Sequence, residues 1–302
     1  MNEYVIRTNS VSKVYGQTKV VKQMSINVPK GSIYGLIGKN GAGKTSLMKM
    51  LTGLSEKTEG DIILFDEENK PASFLQRRVG ALIESPGIFN NMSAFDNLKM
   101  KAIGMGVYKK QAILDILKLV GLDGVGSKKV KQFSLGMKQR LGVGLALVGS
   151  PDLLILDEPI NGLDPQGIVE MRHILERLNH EKNITILVSS HILEELYKIV
   201  THVGIINKGE LIAELTKEEI DEKCRHKLIL KTTNSGKTTA VLEEIGIKNY
   251  TVISEDCIYV YEGMDRIPDI NLALTKEEIG VLELSISSDS LEDFFISMTE
   301  EK

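Results

Sequence analysis

The sequence predicts an α/β fold organised around a glycine-rich loop, with a small α+β domain after it. Three observations lead there. Gly38-Lys39-Asn40-Gly41-Ala42-Gly43-Lys44-Thr45 fits G-x-x-x-x-G-K-[ST], between an apolar run from Ile33 to Ile37 and a segment whose Leu47, Met48 and Leu51 share one helical face. Leu153-Leu154-Ile155-Leu156 is an apolar run of buried-strand type ending in Asp157-Glu158-Pro159, and carboxylates at such a strand end lie where doubly wound sheets place their ligands. Beyond residue 215 no site-forming motif follows, and short strand and helix patterns alternate to residue 302.

The glycine loop declares its chemistry through its residue types. Glycines let backbone N–H groups between Gly38 and Ser46 converge on phosphate oxygens, and the helix starting there adds partial positive charge. Lys44 reaches the β- and γ-phosphates, and the Thr45 hydroxyl can ligate Mg²⁺. A plain glycine-rich turn is the alternative, and the strand before and helix after argue against it. The ligand implied is a nucleoside triphosphate.

A length of 302 residues suffices for one large or two ordinary domains. The apolar share of 42% and charged share of 26% suit an ordinary soluble protein, and a net charge of -4 gives no general attraction to nucleic acid or anionic lipid. Cys224 and Cys257 have neither metal-site nor C-x-x-C spacing, which suits structural thiols in a reducing cytosol. Met1-Asn2-Glu3-Tyr4 lacks the basic and apolar regions of a signal peptide, and no stretch approaches the ~20 apolar residues of a membrane span. Work at a membrane would need a separate anchor.

In chain order, Tyr4 to Tyr15 and Val20 to Val28 read as strands, the second closing at a Pro29-Lys30-Gly31 turn. Tyr15 offers a face that could stack on adenine, although packing is the simpler reading of a lone tyrosine. Gly60 to Phe65 is a further strand, and Arg77 to Ile83 leads into the Glu84-Ser85-Pro86-Gly87 loop. From Ser93 to Gly121 the pattern is helical, with Ser93 and Asp96 in a capping arrangement and Ile113, Leu114, Ile116, Leu117 and Val120 on one apolar face. Lys128, Lys129 and Lys131 read as a solvated face. Ser134 is the expected cap of the next helix, with Gly136 just inside it. Asp157 can hold Mg²⁺ through its water shell, and Glu158 can polarise an attacking water. A third buried-type strand, Ile184 to Val188, brings His191 to the same rim.

Together these residues resemble the nucleotide-binding subunit of ABC transporters, over roughly residues 1–215. The glycine loop is similar to that family's Walker A motif and Leu153 to Glu158 to its Walker B strand. Ser134-Leu135-Gly136-Met137-Lys138-Gln139 resembles its signature, with Leu135 where glycine is usual. Asn161-Gly162-Leu163-Asp164 resembles the D-loop, which adds Asp164 to the nucleotide-site residues; His191 resembles the switch histidine and Tyr15 the adenine-stacking aromatic. The resemblance implies a P-loop NTPase fold with a mixed sheet core, an antiparallel β part and a helical subdomain near residues 90–150; the tail's own pattern adds a small α+β accessory domain over 216–302. The resemblance also implies an ATPase using ATP and Mg²⁺. In it Glu158 acts as general base, Lys44 stabilises phosphoryl charge, His191 senses the γ-phosphate, and Thr45, Asp157 and position 84 surround the metal.

Two copies would face each other head to tail, Ser134 and Gly136 of one acting on the ATP held by the other. A separate transmembrane permease would receive the work, with the chain cytoplasmic on the inner face of the membrane and no nucleic acid expected. Where the family usually has glutamine, this chain has Glu84, which is similar to ATPase subunits of bacitracin and lantibiotic resistance exporters. That leans towards peptide-antibiotic export, with a tolerated variant as the plain alternative. Two other functional classes stay open: an antibiotic-sensing cassette and permease, and a non-transport ABC ATPase acting on ribosome or DNA. The second lacks the usual signs, since ordinary globular sequence separates Lys44 from Ser134 and only one cassette is present.

In the tail, Asn207-Lys208-Gly209-Glu210 reads as a hairpin turn and Thr216-Lys217-Glu218-Glu219 as a capping box. Strands are expected at Lys227 to Lys231, Thr251 to Ser254, Ile258 to Tyr261 and Leu282 to Ile286, and helices at Thr238 to Ile245 and Leu291 to Thr299. The second Thr-Lys-Glu-Glu-Ile, at Thr275 to Ile279, reads as another helix start of the same type. Gly236-Lys237-Thr238-Thr239 lacks the upstream glycine of a phosphate loop, since Lys231 stands there, and reads as a helix start.

Overall fold

The fold is taken from a computed structural model that describes residues 4–67, 72–224, 227–287 and 291–300. The first residues, read above for a leader, lie outside the described ones. Strand β1 (Tyr4–Tyr15) is the spine of a four-stranded antiparallel sheet with β2 (Thr18–Met24), β3 (Asn27–Pro29) and β5 (Glu59–Leu64). Val20 to Val28, expected as one strand, is two. The buried Thr8 hydroxyl accepts from Ile26 N at 2.9 Å and donates to Met24 O at 3.0 Å, so β1 binds the two halves in separate registers.

The second sheet holds β4 (Ile33–Ile37), β6 (Val79–Leu82), β7 (Leu153–Leu156), β8 (Thr185–Ser190), β9 (His202–Asn207) and β10 (Glu210–Thr216), in the order β10-β9-β4-β8-β7-β6. Every pairing is parallel except β9 with β10, which turn through Lys208-Gly209 with both residues at positive φ, the twist a two-residue hairpin needs. All residues of β4, β7 and β8 are buried, as parallel strands covered on both faces must be. Strand β8 runs through Ser189 and Ser190, beyond the expected end at Val188.

Helix α1 (Lys44–Leu51) leaves the glycine loop, and α2 (Ala72–Gln76) precedes β6. Next, α3 (Ala94–Gly104), α4 (Lys110–Leu119) and α5 (Leu135–Ala146) pack on one another as a helical group. Ser93 to Gly121 therefore divides in two, with Gly106 at φ 71 turning the chain between the helices. Ser93 caps α3 by accepting from Asp96 N at 3.1 Å; Ile113, Leu117 and Val120 are buried, and Leu114 faces solvent. Lys128, Lys129 and Lys131 are exposed. The 18-residue helix α6 (Pro165–Lys182), which sequence reading passed over, is capped by Asp164, whose carboxylate accepts from Gly167 N at 3.1 Å. A short α7 (Leu193–Tyr197) follows β8.

The chain divides into two compact units, Met1–Lys217 and Glu218–Lys302. Helix α8 (Lys217–Lys223) starts directly after Thr216. In the second unit β11 (Lys227–Thr232), β12 (Tyr250–Val252), β13 (Cys257–Val260) and β14 (Val281–Ser287) form an antiparallel sheet in the order β12-β13-β11-β14. Helices α9 (Ser235–Glu244) and α10 (Ile267–Lys276) bury Leu242, Ile270 and Leu274 against its Leu228, Leu230 and Ile258; α11 (Leu291–Glu300) ends the described chain. Gly236-Lys237 lies in the first turn of α9, where Asn234 accepts from Lys237 N at 3.0 Å. Thr275 to Ile279, expected to start a helix, ends one. Pro268 and the Ile270/Leu274 spacing start α10 upstream, and Glu278 at φ 58 turns Ile279 into the core. Both cysteines are free thiols, Cys257 buried.

Candidate active site

From Ile37 the chain turns through the glycine loop into α1. Gly41 and Gly43 adopt φ 82 and 104, which only glycine takes at low cost. A Cβ on Gly43 would stand 2.8 Å from Val20 O, one on Gly38 2.5 Å from Ile206 O, and one on Gly41 would meet nothing within 4 Å. The loop is tied down from one side, Gly209 N donating to Ala42 O at 3.0 Å. Lys44 is 5% exposed and donates Nζ–H to Gly38 O at 2.6 Å and Lys39 O at 3.4 Å, so its cation curls over the loop. The first N–H groups of α1, at Lys44, Thr45 and Ser46, have no partner within the helix and are available to an anion, with Asn40 exposed at the loop's rim.

Sheet register brings the acids here. Ile37 pairs with Ser190, and Leu156 with Val188, so the ends of β4, β8 and β7 deliver the glycine loop, His191 and the Asp157-Glu158 pair to one rim. Asp157 is buried and accepts Thr45 Oγ1 at 2.8 Å and Ser189 Oγ at 2.7 Å. The same Ser189 oxygen accepts from Glu158 N at 2.9 Å. Glu158 sits at φ 50 with its carboxylate between two bases: Oε1 lies 3.4 Å from Lys44 Nζ, and Oε2 lies 2.6 Å from His191 Nδ1. Sequence reading gave Ser189 no role; its signal was a hydroxyl inside a buried strand end, where nothing apolar satisfies it.

The remaining expected residues stand further off. Tyr15, at the end of β1, keeps 45% of its surface open, with its hydroxyl 3.3 Å from Ser55 Oγ and Lys13 Nζ 4.8 Å from its ring centre. Glu84, at φ 60 in the loop after β6, is engaged by Lys49 of α1 at 2.5 Å. That bond holds the Lys49 ammonium above its ordinary range. Ser134 caps α5 by accepting from Met137 N at 3.2 Å, and a Cβ on Gly136 would face Leu163 at 3.7 Å. Among the described residues, neither Ser134 nor Gly136 hydrogen-bonds to the glycine loop, Asp157 or Glu158, and Asp164 is occupied as the α6 cap.

The donor set suits a phosphate-bound Mg²⁺. Thr45 and Asp157 offer hard oxygen atoms beside the phosphate loop. Among the described residues no three His, Cys, Asp or Glu side chains converge, and Mg²⁺ needs none, since it takes one or two carboxylates plus substrate phosphates and water.

A strand, glycine loop and helix facing an acid pair at the ends of parallel strands define a P-loop nucleoside triphosphatase. The profile of the ABC transporter family matches residues 21–161. The chain is similar to the bacitracin transport ATP-binding protein BcrA of Bacillus licheniformis, 42% identical over 97% of both chains. It is also similar to the lantibiotic transport ATP-binding protein SrtF of Streptococcus pyogenes, 45% identical over 70% of this chain and 90% of that protein. Among solved structures, the ADP conformation of an ATP-binding cassette of an ABC transporter aligns with a TM-score of 0.65 at 26% identity, over 72% of this chain and 94% of that one. The chain belongs to the ABC transporter family as an ATP-binding cassette, and its enzymatic activity is that of an ATPase.

Proposed function

We propose that this chain is the ATP-hydrolysing subunit of an exporter for peptide antibiotics of the bacitracin or lantibiotic kind, working on a separate permease at the inner face of the membrane. The observation that carries the reading is the match over 97% of both lengths to a bacitracin transport ATP-binding protein, with the second unit included. Glu84 supports it, as the residue in which the loop after β6 departs from the usual glutamine. No described helix is long and apolar enough to cross a membrane, so the spanning part falls to the partner.

In this reading the N–H groups of Gly41, Gly43, Lys44, Thr45 and Ser46 bind phosphate, and the open face of Tyr15 stacks on the base. Lys44 exchanges its bond to Gly38 O for phosphate oxygen, which frees one side of Glu158. Bound Mg²⁺ neutralises phosphate charge, and Thr45 with Asp157 would hold it. Glu158 takes the proton of the attacking water, and His191, bonded to Glu158 Oε2, orients that carboxylate and senses the γ-phosphate. Ser134 and Gly136 find no role in their own site, which fits head-to-tail pairing of two copies. There the capped start of α5 offers hydroxyl, N–H and helix dipole to the nucleotide of the other copy, with Asp164 close by at the start of α6.

The permease has a fitting surface. A groove of about 490 Å³ runs between the end of α1, the loop after β6 and α3, lined by exposed Leu54, Phe89 and Met100. Lys101 lines it too, with no ion-pair partner among the described residues, and burial pushes its pKa down. An apolar segment carrying a carboxylate fits that lining. The test is affinity capture of the Glu158→Gln chain with ATP and Mg²⁺ from detergent-solubilised membranes of its native cells. A multi-span membrane protein is expected, and capture of ribosomal proteins without one overturns the reading.

A further inference from the structure

Glu84 follows β6 as Asp157 and Glu158 follow β7, its parallel neighbour in the sheet. Leu82 pairs with Leu156 and accepts from Asp157 N at 2.8 Å, so the loop that carries Glu84 leaves the same end of the sheet as Asp157 and Glu158. A triphosphate brought to this rim meets three negative charges, where the usual glutamine would leave two. Helix α1 supplies one lysine to each outer acid: Lys44 lies 3.4 Å from Glu158, and Lys49 lies 2.5 Å from Glu84. Lys49 stands one helical turn beyond Thr45, on the face of the residue that bonds Asp157, and its ammonium also feels the charge of Asp157.

The Lys49–Glu84 pair is a poor stability device. Both side chains reach solvent, at 29% and 64% exposure, and exposed pairs contribute little to folding. Glu84 moreover holds a left-handed backbone, φ 60, which costs a β-carbon residue free energy and points to a constraint other than stability. What the pair does achieve is neutralisation of a carboxylate in the loop that leaves the sheet at the phosphate site's rim.

We infer that Lys49 is a positioning residue for nucleotide binding, holding and neutralising the Glu84 carboxylate so that this loop can carry an acid beside Mg·ATP. The inference rests on the reading of the glycine loop as the ATP site. It assigns Lys49 a place that the phosphate-loop pattern, which ends at Thr45, does not cover. Position 49 and position 84 then form a charge-matched couple.

The test is a double-mutant cycle on the full chain, read as the dissociation constant for Mg·ATP by equilibrium titration without turnover. Lys49→Met leaves Glu84 uncompensated and is expected to weaken binding about three- to tenfold at low salt, with the loss shrinking as salt is added. Lys49→Met/Glu84→Gln is expected to bind like Glu84→Gln alone, and Lys49→Arg to keep most of the affinity that Lys49→Met loses. Equal or tighter binding by Lys49→Met, or losses that multiply in the double variant, overturns the inference. Circular dichroism melts on each variant separate this from misfolding. Absence of Mg·ATP binding by the unmutated chain would instead sink the assignment of the ATP site itself.

Discussion

Replacing Ser189 with alanine tests the wiring of the acid pair. The Ser189 hydroxyl is buried, donates to Asp157 Oδ1 at 2.7 Å and accepts from Glu158 N at 2.9 Å, so one atom fixes both carboxylate residues. Hydrogen bonds to charged groups contribute about 1.5–3 kcal/mol and neutral ones about 0.5–1.5 kcal/mol, so losing both costs about 3 kcal/mol. For a unit of this size that lowers the melting temperature by roughly 6–12 °C. Activity falls as well, because Glu158 holds a φ of 50 that its Ser189 bond helps maintain. The assay is a calorimetric melt of Ser189→Ala beside steady-state ATP hydrolysis. A melting point within about 1 °C of the unmutated chain, with normal turnover, refutes the argument that Ser189 anchors the pair.

Three further outcomes are expected. Tyr34 is buried and its hydroxyl donates to Glu214 at 2.7 Å; burial first, then the Glu214 charge and hydrogen bond, push the phenol well above its ordinary value of 10.0. A raised folded-state value means stability present below pH 10 and lost above it, by about 1.4 kcal/mol per pH unit, and urea melts of Tyr34→Phe should lack that alkaline slope. Gly43→Ala drives a Cβ to 2.8 Å from a backbone carbonyl, whereas at Gly41 the space is open, so ATP titration should show Gly43→Ala far more damaged than Gly41→Ala, whose backbone cost is roughly 1–2 kcal/mol. Lys101→Glu should reduce capture of the membrane partner at unchanged cassette melting, checked by pull-down from membranes.

Legibility in the sequence followed the range of the forces involved. The glycine loop and the acid strand were readable because their chemistry resides in residue types at fixed local spacing. The Ser134 cap was local too, whereas the Asp164 cap, equally local, was missed together with its helix α6; the Asp164 carboxylate accepts from Gly167 N. The break in Val20 to Val28 was invisible, since Thr8 makes it from another strand. Thr-Lys-Glu-Glu-Ile starts a helix after Thr216 and ends one at Lys276, because Pro268 and the Ile270/Leu274 spacing had already set the second helix. Ser189 and Lys49 act through partners distant in sequence, Asp157 and Glu84, and only the sheet register brings them together.

Hydrolysis of ATP by paired cassettes depends, in the proposed mechanism, on Glu158 as the base. Light scattering of the Glu158→Gln chain with and without ATP and Mg²⁺, with phosphate release followed in the same sample, tests it most directly. The expected result is a dimer that forms only with nucleotide, holds intact ATP and hydrolyses it at least about a hundredfold more slowly than the unmutated chain. A monomer that turns ATP over at the normal rate would contradict it.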